Sequence, residues 1–152
     1  MGNDYTATLK STETEEFIDI YFYRPIGYWW ARLFRRLGIH PNTVTILSIL
    51  LGMAAGYCFY FKDLYINVIG MLLLIWANMY DSADGQLARM TGQKTELGRM
   101  LDGFAGDLWF FSIYFAICMR LNDQWGIWIW LIAAFAGFIC HAKQCQLADY
   151  YR

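Results

Sequence analysis

The chain has 152 residues, of which 58% are hydrophobic, 19% aromatic and 16% charged, with a formal net charge of −1. That composition excludes a disordered chain, a coiled coil and collagen, which need more charge or a strict repeat. A nearly balanced charge offers no global basic field for nucleic acid, and none is expected as a partner. The apolar excess and the seven Trp lean towards a bilayer.

Residues 1–23 read as a cytoplasmic N-terminal segment, the first 20 being too polar and acidic for a cleavable signal. An interfacial helix is predicted over 25–37. Ile26, Trp29, Trp30, Leu33 and Leu37 recur at three- and four-residue spacing, with Arg32, Arg35 and Arg36 on other parts of the helix. Trp and Arg on such a helix suit the headgroup layer. Pro25 fits its first turn, Gly38 ends it, and Asn42 or Thr43 caps the next helix.

Four membrane helices are expected after this corner, over 43–61, 66–90, 101–121 and 125–145. A span needs about 20 mostly apolar residues. The first carries no charge. The second is apolar to Tyr80 and then carries Asp81. The third carries Asp102 and Asp107, and the fourth begins at Trp125. The short joints at 62–64 and 120–123 make consecutive helices antiparallel neighbours. With the N-terminus in the cytoplasm, Lys62 and Arg120 fall on the far side, and the other ten of the 12 basic residues fall inside. Positive residues favour the inner side. The expected fold is all-α: a single polytopic membrane bundle over 1–152, with four spans and an interfacial helix. Gly52 and Gly56 form a close-packing pair in the first span, read here as packing within one bundle.

The chemistry concentrates in 81–107. Asp81 and Asp84 are three apart and share a helix face. Asp102 starts the next span at the same membrane surface. Three carboxylates at one depth repel unless something neutralises them. A hard divalent cation does so, and Mg²⁺ brings phosphates with it. Gly85 and Ala88 keep the helix bare for a ligand, and Arg89 offers a planar donor fork for phosphate. The plainer alternative is an ion-pair cluster with Arg89 and Arg99.

The pattern D-x2-D-G-x2-A-R-x8-G-x3-D, carried by Asp81, Asp84, Gly85, Ala88, Arg89, Gly98 and Asp102, resembles the signature of the CDP-alcohol phosphotransferases. These are integral membrane enzymes of phospholipid synthesis. The interfacial helix and the Pro41-Asn42-x-Val44-Thr45 entry to the first span look like that family too, so the likeness covers roughly 24–145. The resemblance implies that an acceptor hydroxyl attacks the β-phosphorus of a CDP-linked lipid, CDP-diacylglycerol above all, and that CMP leaves. It implies Mg²⁺ or Mn²⁺ held by Asp81, Asp84 and Asp102, and nucleotide contacts from Gly85, Ala88 and Arg89, with Asn42 and Thr45 approaching as well. Arg99 and Lys143 would favour an anionic acceptor among small alcohols. A homodimer and a plasma (inner) membrane of bacterial type complete what it implies, and the basic-residue asymmetry puts the active site on the cytoplasmic side.

Two departures stand out. The family places a fourth aspartate, the base, four residues after the third, and here that position is Gly106, with Asp107 next. Five residues turn about 140° away on a regular helix. A one-residue π-bulge would return Asp107 to the site as the base, and Gly103 and Gly106 would ease it. Secondly, the family typically has six spans and four are visible here, with the last two expected to be lacking: either the sequence is a piece of a longer protein or it lacks part of the acceptor pocket. Three alternatives remain open here: a catalytically impaired relative that binds CDP-lipid, a membrane prenyltransferase with an aspartate-rich diphosphate site, and a small membrane protein that uses Asp102 and Asp107 for ion or proton passage.

Overall fold

The computed structural model describes residues 19–141 and 143. The described residues form helices and short joints, with no strand. A π-helical turn, Asp19–Tyr23, leads into α1, Arg24–Arg36. Then follow α2, Pro41–Tyr60, α3, Leu64–Thr91, and α4, Glu96–Trp125. Helix α5, Ile127–Ala134, runs into a π-helix, Phe135–His141.

Helix α1 buries Arg24, Gly27, Ala31 and Phe34, one stripe at three- to four-residue spacing. Trp29 and Arg32 face outward. Its end is a Schellman turn: Gly38 sits at φ +68°, Ile39 N donates to Phe34 O at 3.0 Å and Gly38 N to Arg35 O at 3.2 Å. Helix α2 begins at Pro41 rather than after Asn42 or Thr43. His40 is the cap, its Nδ1 accepting from Asn42 N at 3.2 Å. Proline carries no N–H and its φ is pre-set, so the first helical position suits it and the cap moves ahead of it.

Helices α2, α3 and α4 are each long and apolar enough to cross a membrane. Caps extend α3 and α4 beyond their apolar stretches. Asp63 Oδ1 accepts from Ile66 N at 3.1 Å, and Thr95 Oγ1 from Gly98 N at 3.0 Å. The fourth expected span is shorter among the described residues, an apolar helix over Ile127–Cys140. Apart from Lys143, the rest of 125–145 beyond His141 lies outside them, as does most of 1–23.

Helix α2 packs on both α3 and α4, and α1 lies along α3. Ala31, Phe34, Val44, Ala83 and Leu87 form the core where α1, α2 and α3 meet. Ala77, Ala105 and Trp109 form a second core deeper in the bundle. The small residues of α2 serve this packing. A Cβ on Gly52 would collide with the Trp109 ring, and one on Gly56 with the Ser112 side chain. Ser112 Oγ donates to Met53 O at 3.3 Å there. At the opposite end of the bundle, Arg120 Nη1 donates to Phe59 O at 3.3 Å and to Asn67 Oδ1 at 3.1 Å.

Candidate functional site

The last turns of α3 and the second turn of α4 come together beside the start of α2. Helices α3 and α4 both pack on α2, and the short loop between them returns the chain to the same end, which brings Asp81, Asp84 and Asp102 into one group, each offering a carboxylate oxygen within 4.8 Å of the others. Asp84 is only 4% exposed, and its Oδ2 is buried without a hydrogen-bond partner among the described residues. Asp81 is half-buried and Asp102 exposed. An all-oxygen, triply anionic donor set with an orphaned buried oxygen fits a hard divalent cation such as Mg²⁺ or Mn²⁺.

A cavity of about 500 Å³ opens beside these carboxylates. Its wall includes Gly85, Ala88 and Arg89 from α3 and Asn42 and Thr45 from α2, the residues expected at the nucleotide. Thr45 Oγ1 donates to Pro41 O at 3.2 Å. The loop residues Gln93, Lys94 and Thr95, with Glu96 and Arg99 of α4, complete the cavity lining. Gly98 has a steric reason. A Cβ on Gly98 would lie 3.0 Å from Asn42 Oδ1, so glycine lets the start of α4 approach the start of α2. A Cβ on Gly85 would stand at ordinary contact distance, 3.6 Å, from the Arg89 guanidinium, so packing does not demand glycine there, and its bareness leaves the cavity wall open.

Two of the expected site residues, Asp107 and Lys143, do not line this cavity. Helix α4 is α-helical without interruption from Glu96 to Trp125, so no π-bulge turns Asp107 back. The side chain instead lines an apolar cavity with Phe110, Phe111, Tyr114 and Trp130. A Cβ on Gly103 or Gly106 would meet nothing within 4 Å, so no crowding drives an extra residue into the helix. Lys143 is exposed and does not join Arg99 at the cavity wall.

Two features escape the spacing argument. Gln86, a variable position of the motif, is fully buried, and its Nε2 donates to Arg24 O at 2.9 Å. That bond fastens the entry of α1 to the motif helix. The only sequence signal for it was a polar residue on the face of α3 opposite the lipid. Beyond it lies a second polar cavity of about 390 Å³, which Asp19, Tyr23, Arg24 and Asn78 enclose together with Asp81 and Asp102. Residues 19 to 24 precede the motif by some sixty positions, so no spacing links them to it.

The family model for CDP-alcohol phosphatidyltransferase matches residues 38–144. A bifunctional IPC transferase and DIPP synthase of Aquifex aeolicus is 32% identical over 99 residues, 65% of this chain and 22% of that protein. An archaetidylinositol phosphate synthase of Pyrococcus horikoshii is 34% identical over 91 residues, 60% of this chain and 47% of that protein. A probable cardiolipin synthase (CMP-forming) of Drosophila melanogaster is 32% identical over 107 residues, 65% of this chain and 32% of that protein. The chain thus spans less than half the length of each of these relatives.

Proposed function

The chain belongs to the CDP-alcohol phosphatidyltransferase family, and from that premise we propose that it transfers a phosphatidyl-type group from a CDP-linked lipid to an alcohol, releasing CMP. The observation that carries this reading is the convergence of Asp81, Asp84 and Asp102 within 4.8 Å at the edge of a cavity walled by the rest of the motif.

In this reading the three aspartates hold a divalent cation, which when bound offsets the charge of the diphosphate and of the departing CMP. Arg89 grips two oxygens of a phosphate with two parallel N–H donors. Gly85 and Ala88 admit the nucleotide close to the α3 backbone, while Asn42 and Thr45 bound it on the α2 side. Arg99 meets an anionic group at the cavity mouth. CDP-diacylglycerol is the donor we favour, its acyl chains passing sideways into the bilayer. The active site faces the cytoplasm of a plasma membrane of bacterial type, and the chain works as a homodimer. Crosslinking in native membranes tests the dimer.

The assay is Mn²⁺-dependent CMP release from CDP-diacylglycerol in detergent, with glycerol, sn-glycerol 3-phosphate, myo-inositol, myo-inositol phosphate and serine as acceptors. CMP with a matching lipid product supports the reading. CDP binding without CMP release points to an impaired relative. Pyrophosphate release from a prenyl diphosphate instead would overturn the assignment.

A further inference from the structure

The transfer leaves one proton unassigned, that of the attacking hydroxyl. Gly106 occupies the position where a regular helix would present a base beside Asp102, and Asp107 lines the aromatic cavity. The second polar cavity shows where that proton can go. It shares Gly85, Arg89 and Asp102 with the nucleotide cavity, so the two meet along one wall at the metal-ligand cluster. In displacement at phosphorus, the attacking and leaving oxygens lie roughly in line on opposite sides. With CMP departing into the larger cavity, the hydroxyl enters from the smaller one.

Three carboxylates line that smaller cavity: Asp19, Asp81 and Asp102. Asp81 and Asp102 belong to the three-aspartate cluster, and Asp19 stands outside it. Asp19 arrives on the π-helical turn ahead of α1, a geometry found often at functional sites. The turn is held against α3 by the Gln86–Arg24 bond, and by Gly27, where a Cβ would come 2.8 Å from Ser82 Oγ. Asn78 lies one helical turn deeper than Asp81. Its Nδ2 donates to Leu74 O at 2.9 Å, which turns its Oδ1 to the role of acceptor.

We propose that Asp19 is the proton acceptor of the reaction and that the cavity it lines is the pocket of the acceptor alcohol; this rests on the transferase reading above. The hydroxyl oxygen forms a bond to the β-phosphorus and its proton passes to the Asp19 carboxylate. The bond from that phosphorus to the CMP oxygen breaks, and its electron pair leaves with CMP. Tyr23, Arg24 and Asn78 position the remaining polar groups of the alcohol. A polar pocket of about 390 Å³ suits a small water-soluble alcohol and not a lipid alcohol with acyl chains. Asp19, Tyr23 and Arg24 all precede the family-matched residues 38–144, so acceptor choice is set by a part of the chain outside that match.

Gly106 supplies the control. At 100° per residue it projects between Asp102 and Gly103, both of which line the cavity. A Cβ there meets nothing within 4 Å, so an introduced carboxylate has room to enter the same space. The experiment compares wild type, Asp19→Asn and Asp19→Asn/Gly106→Asp, using CDP-diacylglycerol and whichever small alcohol of the panel wild type converts. CDP and Mn²⁺ affinities are measured alongside. The expected result is a roughly 10²- to 10⁴-fold fall in kcat for Asp19→Asn, CDP and Mn²⁺ affinities within twofold, and at least tenfold recovery in the double variant. Asp19→Asn activity within threefold of wild type overturns the proposal and leaves the transferase reading standing. So does a loss of CDP and Mn²⁺ binding that follows the loss of rate, with no recovery from Gly106→Asp. Wild type that converts only a lipid alcohol overturns the pocket assignment. Wild type that releases no CMP with any alcohol overturns both readings.

Discussion

Asp84→Asn separates a metal centre from a structural ion cluster, because the two make opposite predictions for the metal-free protein. Asp84 is 4% exposed, and the cluster oxygens lie within 4.8 Å of one another. At that separation two like charges repel by about 3–4 kcal/mol at an effective dielectric of about 20. Asp81 is half-buried and Asp102 exposed, so solvent screening reduces each pair to about 1–2 kcal/mol. Asparagine keeps the shape and removes the charge. Without metal, the variant should therefore melt a few degrees higher than wild type. With metal, it has lost one anionic ligand beside a low-dielectric bilayer, and Mn²⁺ should bind at least about 100-fold more weakly, a loss of about 2.7 kcal/mol. Wild type should gain stability on adding Mn²⁺ through linkage, and the variant should gain little. Thermal melts with and without Mn²⁺, with the Mn²⁺ titration, form the assay. A variant that melts lower without metal, or binds Mn²⁺ within threefold of wild type, would refute the reasoning.

Other outcomes follow from the same packing. Asp107→Asn should leave the transfer rate within about twofold, because the unbroken helix turns this residue into the aromatic cavity; a loss beyond the tenfold range in the same CMP assay would count against that placement. Gly52→Ala should destabilise by about 1–3 kcal/mol through overpacking against Trp109, read as a lower melting temperature with CDP affinity unchanged. A single reactive cysteine at position 63 in a cysteine-free background should label from outside the cell. Labelling only from the cytoplasm would invert the bundle.

The apolar runs, their lengths and the basic-residue asymmetry suffice to derive an all-helical membrane bundle, because backbone groups in lipid must be satisfied within each segment. The motif spacing likewise placed Asp81, Asp84 and Asp102 together: i, i+3 spacing fixes a helix face, and a short loop returns the next helix to the same end. The limits of the helices were less legible. Apolarity marks the part of α4 in lipid, whereas the Thr95 cap starts the helix five residues earlier. Asp107 could not be placed from spacing alone, since a regular helix and a bulged one use the same residues. The backbone hydrogen bonding of α4 decided it. Gln86 and the π-helical turn before α1 lay further out of reach. The bond from Gln86 to Arg24 joins residues 62 apart, and Asp19 meets the motif carboxylates only because α1 lies along α3. Periodicity reports what lies on one face of one helix. Which distant segment is pressed against that face depends on how side chains from several helices interlock, as Gly27 does against Ser82 and Gly98 against Asn42.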